Sequence, residues 1–217
     1  PLEPAPRGDR RRAHAGGALR VPPVTGALLA ANVLLFMLQL AGGLPLVEHF
    51  ALWPPSTSGP RAGPGFELWQ LVSYSFLHGS LLHLMFNMLA LYTFGRDVER
   101  LFGSTWYLQF YLASVVAAAL SHLVVTGWMG GPPIPTVGAS GGVYGLLLAY
   151  GIYFPRRTVL LLFPPIPLPA RVFVVLFAAL ELYFGVTGTA SGVAHFAHLG
   201  GMLGGWLMIR SRRRRRT

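Results

Sequence analysis

Apolar residues recur along this chain in long runs separated by short polar breaks, with little of the strict alternation that marks a half-buried strand. Segments near 24–41, 81–97, 104–126, 138–154, 171–187 and 193–210 are each apolar over about 17 to 25 residues, the helical length that crosses a ~30 Å hydrocarbon core. The pattern predicts an all-α fold, a polytopic bundle of six transmembrane helices occupying residues 23–210. A disordered basic lead at 1–22 and a basic tail at 211–217 flank it. The first run follows Arg10 to Arg12 and Arg20 as a signal peptide would, but it is long for one and five more runs follow, so it reads as a retained anchor.

Two connections stand out. The first, 43–80, holds Pro45, Pro54, Pro55, Pro60 and Pro64 beside Trp53, Phe66 and Trp69, which predicts a segment lying in the outer membrane interface. The second, Pro155 to Pro169, mixes Arg156 and Arg157 with the apolar Val159 to Phe163 and further prolines, and is expected as an irregular cytoplasmic interfacial loop.

Composition agrees with a bilayer solvent: 53% of residues are hydrophobic and 11% charged, against roughly a quarter charged in soluble domains. The net charge of +10 would suit nucleic acid, but the basic residues, all 17 of them arginine, cluster beside apolar runs rather than along a soluble face. Sixteen of them fall on the side of the two termini if there are six spans, and Arg61 alone falls opposite. Charge asymmetry of this kind puts both termini in the cytoplasm. The absence of cysteine removes disulfides, thiol catalysis and zinc-thiolate sites.

Polar side chains inside a bilayer are costly and call for a partner or a function. Spans two, four and six all enter from the outside, so residues near their starts share one depth. That layer holds His83 and Asn87, one helical turn apart; Ser140, with Tyr144 a turn deeper; and His195 and His198. Fifteen residues separate Ser140 from the helix-ending Pro155, about 22 Å of helix, which sets the serine roughly 8 Å below the outer boundary. Gly141 and Gly145 on span four and Gly200, Gly201, Gly204 and Gly205 on span six have the small-xxx-small spacing of closely packed helices, which would let Ser140 and His198 meet.

These residues resemble the rhomboid family of intramembrane serine proteases, in its bacterial six-span form. Gly138-Ala139-Ser140-Gly141 matches the Gly-x-Ser-Gly motif of the nucleophile, and Ala197-His198-Leu199-Gly200-Gly201 with Gly205 matches the catalytic-histidine helix. His78, His83 and Asn87 match the second-span motif, Glu67-Leu68-Trp69-Gln70 the Glu-x-Trp-Arg element of the first loop, and Gly95 to Gly103 the second cytoplasmic turn. Gln70 departs from the usual arginine, which puts the anchoring of that loop in question. The similarity runs from about Val24 to Arg210. It implies an endopeptidase of the bacterial plasma membrane that opens to the outer face, works by a Ser-His dyad without an aspartate, and admits substrate between spans two and five.

Residue roles follow from chemistry and from that resemblance. Imidazole suits the task of taking a serine proton near neutral pH, so His198 is the expected base for Ser140. The Ser140 N–H at a helix start is one candidate oxyanion donor, and by resemblance the side chains of His83 and Asn87 are others. No carboxylate is expected at the depth of the serine, and the resemblance implies that Tyr144 packs on His198 instead. The glycines downstream single out His198 over His195 as the base. His78 is expected to support the first loop, Gly138 and Gly141 to shape the serine turn, Glu181 to lie neutral or hydrogen-bonded mid-span without a role, and Asn32 and His122 to pack. The expected partners are single-span membrane-protein substrates and the lipid bilayer, without nucleic acid, metal or cofactor; oligomeric state is not legible. The competing reading gathers His78, His83, His195 and His198 around a metal or haem, and is disfavoured by the lack of HExxH and of an acidic ligand near them. A catalytically silent relative that only binds membrane clients would be expected to lack Ser140 or His198, and both are present. For topology, a reporter active only outside the cytoplasm should be silent when fused after Arg210; an active fusion there would overturn the arrangement.

Overall fold

The computed structural model describes residues 21–42, 44–54, 64–129, 134–161, 164–188 and 194–214. Most of the basic lead, Arg61 in the first loop and the last three residues of the tail lie outside them. Helix α1 (Pro23–Ala41) starts on a proline at its first turn, where a missing N–H costs nothing, and stops at Gly42, whose φ of 68° is left-handed. Short helices α2 (Leu46–Phe50) and α3 (Gln70–Ser73) belong to the first loop. Then come α4 (Leu81–Ala90), continued through a π-helical turn at Leu91–Gly95 into α5 (Arg96–Phe102), and α6 (Ser104–Met129), α7 (Ser140–Tyr153), α8 (Ala170–Thr187) and α9 (His195–Arg214).

Among the described residues, three helices are long and apolar enough to cross a membrane, at Pro23–Ala41, Ser104–Trp128 and Ala170–Thr187. The runs expected as spans two, four and six are helical as well, each with a feature that breaks a simple apolar rod. Span two is interrupted by the π turn, α7 has only 14 residues, and α9 runs into Arg212, Arg213 and Arg214. The bundle is apolar outside, with Leu34, Val175 and Leu203 exposed, and polar groups such as Thr25, Asn32, Gln70, Glu99 and Glu181 are buried. Helices α6, α7 and α9 form the densest packing, with α9 lying against both of the others.

The stretch after α7 is not irregular. Residues Thr158–Leu161 (β1) and Ile166–Pro169 (β2) pair antiparallel, with Thr158 opposite Pro169 and Leu161 opposite Ile166. The expectation of an irregular loop is corrected here, while the fold stays mostly helical: Val159 and its apolar neighbours favour a strand, and a two-stranded ribbon has free edges where Pro167 and Pro169 need give no ladder hydrogen bond. Arg157 pairs with Asp97 of α5, and Arg212 lies 4.4 Å over the Trp106 ring, so these arginines gather at one end of the bundle.

Glu99 ties that end together. The residue before α1 is Pro22, which has no capping side chain, and the Glu99 carboxylate caps the helix from across the bundle. It accepts Val24 N–H at 3.0 Å, Thr25 N–H and Thr25 O–H at 2.7 Å, and Ser104 O–H at 2.7 Å, where a negative charge also suits the helix dipole. Glu99→Ala strands a buried Thr25 N–H and should lower stability in detergent by at least about 1 to 3 kcal/mol. Unchanged thermal unfolding would show that water replaces the carboxylate at no cost.

Candidate active site

Ser140 is the first residue of α7, reached through Gly138 at φ 127°, a conformation that side chains rarely adopt. The Gly138 N–H donates to the Tyr74 carbonyl at 3.0 Å, and Leu52 and Thr136 exchange backbone hydrogen bonds at 2.9 and 3.0 Å. The first loop thus holds the turn that presents the serine. At this helix start the Ser140 N–H is a first-turn donor for which the helix has no acceptor.

His198 lies in the first turn of α9, with its Nε2 2.8 Å from Ser140 Oγ. The approach depends on glycine: a Cβ at Gly201 would overlap the Gly141 carbonyl oxygen, and one at Gly145 would overlap Ser114. The close packing expected from the small-residue spacing is therefore present between α7 and α9, and also between each of them and α6. The Tyr144 ring stacks on the His198 imidazole, 4.2 Å between centroids and 4° from parallel.

His83 and Asn87 approach from α4. A Cβ on Gly138 would come within 2.7 Å of the His83 ring and 3.8 Å of Asn87 Nδ2, so both side chains overhang the serine turn. Ser80 caps this helix by accepting His83 N–H, and Asn87 Nδ2 donates to the His83 carbonyl at 3.2 Å, leaving its second N–H able to point elsewhere. His78 is buried, its backbone clamped by Gln39 of α1 at 3.0 and 3.2 Å and its ring against Phe36 and His83. Gln70 anchors the first loop despite standing where arginine was expected: its Oε1 accepts Trp53 N–H at 3.1 Å and its Nε2 reaches the Gly65 carbonyl at 3.3 Å.

A carboxylate does stand at the depth of the serine, and that expectation is corrected. Glu181 is six residues from the C-terminal end of α8, about 9 Å of helix, and its contacts with Tyr144 and His198 set it beside Ser140. The hydrogen bonding expected of it is present. Glu181 accepts the Tyr144 O–H, lies 2.6 Å from His195 Nδ1, and lies 2.9 Å from His198 Nδ1. The last contact has hydrogen-bond length but is not an aligned hydrogen bond, and it becomes an ion pair only when His198 is protonated. Glu181, His195 and His198 offer ligand atoms within 4.8 Å of one another, so the acidic neighbour expected to be missing from these histidines exists, and among the described residues these three could hold a cation. His122, expected only to pack, bonds Thr136 at 2.7 Å on the wall of the site.

A cavity of about 1040 Å³ joins these groups, reaching from His83, His122, Ser140 and His198 down a groove walled by Phe86 and Leu89 of α4 and Phe173 and Phe177 of α8 to the β1 strand. The model of the Rhomboid domain family matches residues 65–215, which span this whole constellation. The chain belongs to the rhomboid family. It is 29% identical over 188 residues to the rhomboid protease GluP of Bacillus subtilis (strain 168), an overlap of 85% of this chain and 34% of that protein. It is 33% identical over 184 residues to the rhomboid protease GlpG of Klebsiella pneumoniae (strain ATCC 700721 / MGH 78578), covering 79% of this chain and 61% of the relative. Over 189 residues it is 28% identical to GlpG of Yersinia pestis (strain Pestoides F), with 86% and 61% covered. The chain thus spans between 34% and 61% of the length of these curated relatives. As a rhomboid with apolar helices, it is an integral membrane protein.

The glycine contact between α7 and α9 gives a direct test of how the rhomboid site is assembled. Gly201→Ala forces the helices apart, at a cost of about 1 to 3 kcal/mol for overpacking. Unfolding in detergent should shift accordingly, and labelling of Ser140 by a fluorophosphonate should slow at least tenfold, the order expected from an ångström of misplacement. Full labelling at the wild-type rate would show that Ser140 and His198 do not depend on this contact.

Proposed function

We propose that this rhomboid is a six-span intramembrane serine endopeptidase with both termini in the cytoplasm, cutting single-span membrane proteins with Ser140 as nucleophile and His198 as general base. The observation that carries the reading is the 2.8 Å contact between Ser140 Oγ and His198 Nε2 inside a cavity shared with His83 and Asn87. Ser140 Oγ attacks the scissile carbonyl as its proton passes to His198 Nε2. The oxyanion forms near the Ser140 N–H, with His83 and Asn87 over the same turn as further donors. His198 then protonates the leaving amine, and water, activated by the same imidazole, hydrolyses the acyl-enzyme.

The groove between α4 and α8 supports a lateral route for substrate, since its walls are aromatic and aliphatic and match a lipid-embedded peptide. A helix entering it must first unwind, because its carbonyls are held in i to i−4 hydrogen bonds and breaking these in lipid costs several kcal/mol per unsatisfied group. Substrates with Gly or Pro near small residues at the cut site are therefore favoured. The Arg asymmetry and the gathering of Arg157 and Arg212 at the end of the bundle away from Ser140 support the orientation.

Ser140→Ala and His198→Ala should each lower cleavage of a transmembrane substrate by on the order of 10⁴-fold or more and abolish fluorophosphonate labelling, with the double variant hardly worse than either single. Both should remain folded in detergent. Substantial cleavage by Ser140→Ala would overturn the assignment.

A further inference from the structure

Glu181 is one of only seven acidic residues in the chain and lies buried within the bundle, where a carboxylate is costly unless several donors face it. Three do. Tyr144 donates from α7, His195 Nδ1 is 2.6 Å away and His198 Nδ1 2.9 Å away on α9. A residue serving only to join helices has no reason to face the one nitrogen of His198 that Ser140 does not use, yet Glu181 does so while Nε2 meets the serine at 2.8 Å. The two oxygens divide the work: Oε2 is held by His195, and Oε1, fixed by Tyr144, faces His198.

We propose that Glu181 is a positioning residue for the Ser140–His198 pair, so that the reaction runs on a Ser-His-Glu triad braced by His195 and Tyr144; this rests on the protease reading above. With the carboxylate beside Nδ1, the favoured tautomer carries its proton there and leaves the Nε2 lone pair facing Ser140. When the serine O–H bond breaks and its proton moves to Nε2, His198 becomes an imidazolium that is largely buried in the bundle. The carboxylate, which keeps its own charge and takes no proton, offsets that new positive charge from 2.9 Å. Because this contact is not an aligned hydrogen bond, the contribution is chiefly electrostatic, smaller than from the aligned acid of a soluble triad. Tyr144, stacked on the imidazole, restrains the ring in the plane that serves both contacts.

The test uses the full chain in liposomes with a transmembrane substrate. Glu181→Gln keeps the shape and removes the charge: kcat and the rate of phosphonylation of Ser140 by a fluorophosphonate, with loss of fluoride, should fall together by about 10- to 100-fold, below the ~10⁴-fold loss typical of an aligned triad acid. KM and thermal unfolding should hardly change. A Gln variant with wild-type kcat, or one altered in KM alone, would overturn the proposal. Glu181→Asp, which keeps the charge, should retain kcat within about tenfold of wild type; it keeps the idea testable if the Gln variant does not fold, since an Asp variant as inactive as Ser140→Ala would also overturn it. Bound metal in the purified protein whose removal raises kcat would overturn it too, by giving the cluster to a cation. Ser140→Ala run in parallel separates the two readings: residual activity there sinks the protease reading itself, whereas a dead Ser140→Ala beside an unimpaired Glu181→Gln sinks the triad alone.

Discussion

Ser140 and His198 stand on different helices, 58 residues apart in sequence, and can share a proton only if the backbones of α7 and α9 nearly touch. In lipid there is no hydrophobic force to press two helices together, so the approach has to come from the shape of their surfaces. Gly141 and Gly201 supply it by having nothing between the two backbones, and Gly145, Gly200 and Gly204 extend the contact onto Ser114, Ser121 and Ala117 of α6. The rest of the site is arranged around that seam. His83 and Asn87 overhang the serine turn because Gly138 leaves room for them, and the turn is held in place because Tyr74, Leu52 and Thr136 bind its backbone to the first loop.

The same economy of contacts explains where the polar groups went. Among the described residues, the buried carboxylates are each met from more than one element: Glu99 by α1 and Ser104, Glu181 by Tyr144 and two histidines of α9. A charge that must be satisfied in lipid fixes the relative placement of the helices that satisfy it, since the alternative leaves it unpaired at high cost. The two therefore act as registers at opposite ends of the bundle, Glu99 at the end where Asp97 meets Arg157 and Glu181 at the depth of Ser140.

Much of this was legible beforehand because helix rise converts sequence distance into depth. Ser140, His198, His83 and Asn87 could be set in one layer from span direction alone, and the glycine spacing indicated which helices would touch. What failed was depth applied to Glu181. Its place near the middle of an apolar run suggested mid-membrane, whereas α8 ends at Thr187 and brings it level with the serine. The hairpin at Thr158–Pro169 was missed because its prolines read as loop, although at the free edges of a two-stranded ribbon they cost the ladder nothing. The capping of α1 by Glu99 was illegible in principle, for nothing local to residue 22 signals a carboxylate arriving from residue 99. Nor does the sequence mark the π turn at Leu91–Gly95, which shifts the facing of everything after it on the same helix.

On the proposed reading the protein is a hydrolase set below a membrane surface, and it meets two opposed demands. Water must reach the acyl-enzyme, which favours an open polar cavity, yet an imidazolium formed beside lipid needs compensation that bulk water would otherwise give. The cavity resolves this by being uneven: polar around His83, His122, Thr136 and Ser140, apolar down the groove between α4 and α8. Water can collect at the polar end without wetting the path a lipid-borne peptide would take. Compensation for His198 must then come from the protein itself, from the side turned away from that water, and that is where Glu181 lies. On the proposed reading, the carboxylate follows from the location of the chemistry: the deeper and drier the base, the more its conjugate acid needs a fixed counter-charge rather than a borrowed solvent one.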